Sequence, residues 1–155
     1  MDFSQLLMDL ARAVETGNAE AMADCFTADG IYDDYYFGRK QGREGLKEML
    51  SHFYAGANNF RWEFFDPVCD GNRGYASYRF SYDSLQPQAR GKRVGFDGIS
   101  CIALRDGLIS HYREVFDRGM GLAQQEFAPE RIVHIEMKHA RALREAPGWE
   151  PHFKS

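Results

Sequence analysis

The sequence predicts an α+β protein in which helices cover one face of an antiparallel sheet, and three observations lead there. Apolar residues recur at helical spacing over 3–16, 18–26, 43–55 and 129–146, whereas the stretch from Asn58 to residue 117 follows a period of two. Turn signals at Asp70-Gly71-Asn72, Pro87 to Gly91 and Asp106-Gly107 cut that stretch into short strands. The order of elements, helices then a strand, a helix and a run of strands, is that of helices segregated to one side of an antiparallel sheet.

Phe3, Leu6, Leu7, Leu10 and Val14 make 3–16 an amphipathic helix, which Gly17 stops. Asn18 suits the N-cap of a second helix running to Phe26, with Met22, Cys25 and Phe26 on one face. The stretch Phe26–Gly38, FTADGIYDDYYFG, turns polar and then runs out as a strand. Two adjacent carboxylates in a Tyr-rich strand are unusual, because Asp is depleted from strands and an ionised carboxylate is costly to bury. Neighbours in a strand point to opposite faces, so only one of Asp33 and Asp34 faces the interior.

A turn at Gly38–Gly42 leads into helix 43–55, built on Leu46, Met49, Leu50 and Phe53 and ended by Gly56. Segments 60–70, 73–84, 92–105 and 108–117 read as an antiparallel meander, with the Tyr32 strand as a further member; Asp106-Gly107 is its clearest two-residue hairpin. Ala128-Pro129 restarts a helix that runs to about Ala146, with Ile132, Ile135, His139 and Leu143 on one stripe. That helix either covers the outer sheet surface or caps a pocket mouth. Residues 1–127 are expected to form the main domain and 128–155 a helical extension of it, since 155 residues suit one core.

The composition narrows function by exclusion. A net charge of −4 gives no electrostatic reason to expect nucleic acid or an anionic membrane, and the basic clusters at Arg39-Lys40 and Lys92-Arg93 flank glycines as solvated loops. Cys25, Cys69 and Cys101 are widely spaced, as free thiols in a reducing compartment would be. The first residues lack both a basic leader and a long apolar run, so a cytoplasmic protein is expected. No His, Cys, Asp or Glu cluster has metal-ligand spacing; His134 and His139 are five apart. With no Gly-rich phosphate loop either, the expectation is no metal and no cofactor. Aromatics at 14% of residues suggest an aromatic core or an aromatic-lined pocket.

Strand parity divides 73–84 into a polar face (Tyr75, Ser77, Arg79, Ser81, Asp83) and an aromatic face (Tyr78, Phe80, Tyr82), which for a strand taken alone reads as a solvent face over a core face. Segment 108–117 puts Tyr112, Glu114 and Phe116 on one face and His111, Arg113 and Val115 on the other. A carboxylate between two aromatics needs a partner, and Arg79 is the candidate.

The FTADGIYDD strand, the GREGLKEML helix and the terminal LRDGLISHYREVFD hairpin together resemble the nuclear-transport-factor-2-like (SnoaL-like) superfamily over roughly residues 5–120. The resemblance implies a strongly curved, cone-shaped sheet around a deep pocket, closed by the N-terminal helices. Placed on the ketosteroid isomerases of that superfamily, Asp34 falls on the general base, while their oxyanion-hole positions fall on Leu10 and near Ser100 and are not kept. Placed on limonene epoxide hydrolase, the water-positioning pair falls on Tyr32 and Asp34, the central Arg on Arg79, and the two catalytic Asp on Ser81 and Glu114. Asp83 is the substitute for the acid missing at Ser81.

The resemblance thus implies a catalytic set of Asp34, Tyr32, Arg79 and Glu114, with Asp83 and Ser81 secondary. Tyr36, Phe37, Phe96, Ser100, Tyr112 and Phe116 are expected to line the pocket. The implied function is cofactor-independent acid–base chemistry (hydrolase, isomerase or dehydratase type) on a small apolar or polycyclic molecule. The alternative is a non-catalytic ligand-binding or interaction module. A homodimer is expected through the outer sheet face, there assigned to Tyr78, Phe80, Tyr82 and Val115.

Overall fold

The computed structural model describes residues 2–154; Met1 and Ser155, which the expected domain ranges include, lie outside the described residues. Helix α1 (Phe3–Glu15) is capped by Asp2, whose carboxylate accepts the Ser4 N–H at 3.1 Å, and buries Leu6, Leu7, Leu10 and Val14. Helix α2 (Ala19–Asp24) is capped in the same way by Asn18. Strands β1 (Phe26–Asp34) and β2 (Gly38–Gln41) form a hairpin, and α3 (Gly42–Gly56) then crosses to the meander. The meander is β3 (Ala57–Cys69), β4 (Arg73–Ser84), β5 (Arg93–Arg105) and β6 (Leu108–Phe116), with a 3-10 turn at Pro87–Ala89. Three helices follow: α4 (Arg118–Gln124), α5 (Pro129–Glu145) and α6 (Glu150–Phe153).

The six strands form one open, curved sheet in the order β2-β1-β6-β5-β4-β3, with α1 against β3 and α3 against β1. The α+β architecture is the one expected, with one change in direction. β1 pairs with β6 in parallel, Tyr32 opposite Tyr112, so the sheet is not wholly antiparallel. α3 carries the chain across the sheet, and three reversals later β6 runs alongside β1 in the same sense.

Elements missing from the sequence reading are short or poor in local signal. β2 is four polar residues taken as a turn, and α4 holds Gly119 and Gly121, both weak helix formers. β3 is one contributor to the curvature. Its two register shifts coincide with Asn59 and Asp66, each at a φ of 51°, as bulges that bend a strand do.

The faces of β4 are opposite to the expectation. Tyr78 and Tyr82 are buried and Phe80 packs against the core, while Tyr75 and Arg79 are exposed on the convex side. Arg79 lies over the Phe65 ring at 4.9 Å, Ser81 accepts from Arg93 at 2.8 Å, and Asp83 pairs with Arg93 at 3.2 Å. None of Arg79, Ser81 and Asp83 enters the interior. The physical reason is plain: burying three large aromatics is favourable, and burying a row of hydroxyls and charges is not. A displacement of one residue along a strand flips every side chain, so the residue-by-residue placement was right in strand and wrong in parity.

Candidate functional site

The concave side of the sheet holds a cavity of about 350 Å³. Its wall is mostly aromatic, with Phe60, Trp62, Phe80, Tyr82, Phe96 and Phe116 contributed by four neighbouring strands. Phe96 and Phe116 stack face to face at 4.1 Å and 9°. Two carboxyls, Asp34 and Glu114, interrupt this wall.

Their position follows from the β1–β6 register. Tyr32 lies opposite Tyr112 and Asp33 opposite Arg113, so the same pairing continued puts Asp34 beside Glu114. Adjacent strands lie about 4.8 Å apart, so the two carboxyls leave one face of the sheet as neighbours. Asp33 takes the other face, where its carboxylate meets the His111 imidazole.

Asp34 ends β1. Its Oδ1 accepts the Tyr36 and Phe37 N–H groups, both at 2.7 Å, in the kind of turn an Asp side chain stabilises by mimicking a backbone carbonyl. Burial dominates its proton affinity and pushes it up to about 6; the two N–H donors pull the other way. Glu114 Oε2 accepts from the Tyr112 hydroxyl at 3.1 Å, and Ser100 Oγ is 2.7 Å from that same hydroxyl. With Tyr112 donating to Glu114, Ser100 donates to Tyr112. Burial first, and the Asp34 charge second, push Glu114 up to about 8. The Tyr78 hydroxyl is near Glu114 but makes no hydrogen bond of regular geometry.

Of the residues singled out in the sequence, Tyr32, Asp34, Tyr36, Phe37, Phe96, Glu114 and Phe116 line the cavity. Ser100 and Tyr112 lie behind the wall, fully buried, and reach the site only through Glu114. Tyr32 packs against Tyr112 with ring centroids 4.5 Å apart and the rings tilted by 31°. Arg79, Ser81 and Asp83 are absent from the site because they face outward.

The cavity's arginine is Arg118, the first residue of α4, and sequence reasoning missed it. It pairs with Glu136 of α5 rather than with either cavity carboxyl. Ile135, Lys138 and His139 of α5 also line the cavity, so that helix caps its mouth. Burial, followed by the Arg118 charge, lowers the His139 proton affinity. No local signal marked Arg118. The aromatic wall of β3 comes from alternate residues of one strand face, Phe60 and Trp62. Among the described residues no group of three or more His, Cys, Asp or Glu side chains converges as a metal site would.

A curved sheet enclosing a ligand-sized cavity, with helices over its concave face, defines the class of small α+β pocket proteins. Residues 8–112 match the family model of the SnoaL-like domain, and the chain belongs to that family, within the superfamily that its motifs resemble. No curated protein matches the chain in sequence.

Solved structures support the fold. A Catenulispora acidiphila protein with a ketosteroid isomerase-like fold, solved with trimethylamine, has a TM-score of 0.71 at 18% identity, covering 81% of this chain and 98% of that one. An epoxide hydrolase of the limonene-hydrolase-like type from M. tuberculosis has a TM-score of 0.64 at 15% identity, covering 79% and 88%. The epoxide hydrolase/cyclase-like enzyme SalBIII has a TM-score of 0.62 at 18% identity, covering 74% and 89%.

Proposed function

We propose that this chain is a cofactor-independent acid–base enzyme acting on a small, largely apolar or polycyclic molecule. Asp34 is the base and Glu114 the acid. The observation that carries this reading is a pair of neighbouring carboxyls of different proton affinity in an otherwise aromatic cavity. Near neutral pH Asp34 is ionised and Glu114 holds its proton. Asp34 takes a proton from a carbon or from water while Glu114 gives one to the oxygen on which charge develops. The Ser100–Tyr112 chain holds the acid in place, and Tyr32 braces Tyr112. This division of labour suits isomerisation, dehydration, ring closure or epoxide opening. It does not use the Arg-centred carboxylate triad expected from limonene epoxide hydrolase, because Arg79 and Ser81 are outside the cavity.

The test is turnover of a panel of enones, epoxides and aromatic polyketide-like esters by the wild type, Asp34→Asn and Glu114→Gln. Each variant should lose at least ~100-fold on any substrate the wild type converts, the scale of a lost general acid or base. Retained turnover in both variants would overturn the assignment.

The missing Arg triad favours a second reading, in which the cavity holds its ligand without converting it. Mass spectrometry separates the two readings: unchanged recovery of every panel member, with tight binding of some, favours the second.

The convex face supports an expectation of a homodimer, with Val115 kept from the residues first named and Tyr78, Phe80 and Tyr82 turned instead to the core. Val115, Ile99 and Tyr75 are 58%, 52% and 43% exposed on three adjacent strands. Val115→Glu should convert a dimer to a monomer by light scattering; a wild type that is already a monomer would contradict the dimer. Cys25, Cys69 and Cys101 are free, which suits a reducing cytoplasm, and no helix among the described residues is long and apolar enough to cross a membrane.

A further inference from the structure

We propose that the Arg118–Glu136 ion pair is a positioning device that couples the docking of α5 to the geometry of the Asp34–Phe37 turn. The proposal rests on the acid–base reading of Asp34 and Glu114. Arg118 is only 6% exposed. Its Nε and one Nη donate to the two carboxylate oxygens of Glu136, each at 3.0 Å, in a forked, bidentate pair. Its other Nη donates to the Tyr35 carbonyl at 2.8 Å, and the guanidinium covers the Tyr35 ring at 4.4 Å. The Tyr36 hydroxyl in turn donates to the Arg118 carbonyl at 3.4 Å. Both residues that follow the base are therefore tied to Arg118.

That turn serves both carboxyls. Tyr36 and Phe37 give their N–H groups to Asp34, and the Tyr35 N–H faces Glu114. A shift at Tyr35 moves the donors of both groups at once, and displacements of about 1 Å can cost ~100-fold in catalysis. Arg118 acts through the backbone here, because burial and hydrogen bonds set the Asp34 proton affinity without a contribution from its charge. Other titratable side chains around the two carboxyls are the hydroxyls of Tyr32, Tyr36, Tyr78, Tyr82 and Tyr112, and Lys138 and His139 of α5 stand at the cavity mouth.

On the far side of the pair, α5 buries no residue of its own. Among the described residues Glu136 is its only ion-paired side chain. A helix held this way has low local stability, and such segments are the ones that open. Opening of α5 uncovers the mouth, and loss of the Glu136 fork frees Arg118 and with it the turn.

The test uses the ligand-free full chain. Amide hydrogen exchange and carboxyl NMR titration are compared in the wild type, Glu136→Gln and Arg118→Lys, the last keeping the charge but not the fork. Coupling predicts that Glu136→Gln speeds exchange in α5 and at Tyr36 and Phe37 together, by ~10-fold or more, while Tyr78 and Ile102 in the sheet stay protected. Water entering the loosened turn relieves burial, the larger effect on Asp34, so its titration moves down from about 6. Arg118→Lys should shift the same amides in the same direction. If α5 loosens while Tyr36, Phe37 and Asp34 are unchanged, or if nothing moves in either variant, the coupling is refuted. If Asp34 titrates in the ordinary carboxylate range in the wild type, the acid–base reading falls, and the amides still report on the coupling.

Discussion

Asp34 and Asp83 are the same side chain on opposite faces of one sheet, and their surroundings make them opposite in chemistry. Asp83 is half-exposed on the convex side, where hydrogen bonds from Asn59 and Arg93 hold its carboxyl below the usual range. Asp34 is enclosed by aromatic rings on the concave side, and burial raises it despite two backbone donors. Sequence context alone treats both as acidic residues in Tyr-rich strands. What separates them is which face is dry, because desolvation penalises the charged form and solvated ion pairing favours it. The concave carboxyl becomes a proton carrier, and the convex one a screened surface charge.

The contrast breaks down if the concave carboxyls behave independently, and the largest expected effect addresses this. Asp34→Asn/Glu114→Gln should be hardly slower than the worse single variant, since groups acting as one unit are grossly non-additive. Multiplying single-variant losses in steady-state kinetics would separate the two sites. Wild-type turnover should be bell-shaped in pH, rising through about 6 as Asp34 ionises and falling through about 8 as Glu114 loses its proton. The limbs belong to the coupled pair.

Stability gives the next effect, and its sign is opposite to that of a salt-bridged acid. Both folded values lie above those of the unfolded chain, so the folded state binds more protons between the unfolded values, near 4, and the folded ones, about 6 and about 8. Their contribution is fully present below pH ~4 and is lost as pH rises to about 8. Removing the charge with Glu114→Gln should therefore stabilise the protein at pH 9, on the order of a few kcal/mol, while abolishing the acid. Thermal unfolding at pH 5 and pH 9 checks this, since the gain should be confined to the higher pH. The smallest effect is expected on the convex face: Asp83→Asn and Arg79→Ala should leave turnover within about twofold of wild type, as screened surface charges do.

How much of this the sequence could reveal depended on whether a feature was local. The helices over 3–16 and 43–55 and the four meander strands carry their own period and turn residues, so their positions were readable. The partition of β4 into aromatic and polar faces was readable too, and the ordinary alternation of a core face with a solvent face gives its orientation. The resemblance to limonene epoxide hydrolase reversed it by placing Arg79 inside the cavity. Asp34 and Glu114 were legible because each is a carboxyl set among aromatics. Arg118 was not, since its role arises from Tyr35 and Glu136, 83 and 18 residues away. No window of sequence contains all three.

The central claim is that Asp34 and Glu114 hold unequal proton affinities in one cavity. Site-resolved carboxyl titration of the ligand-free protein by NMR tests it directly. The account predicts Asp34 titrating near 6 and Glu114 near 8, each perturbed when the other is replaced by its amide. Titration of both below ~5, independently of one another, would contradict it.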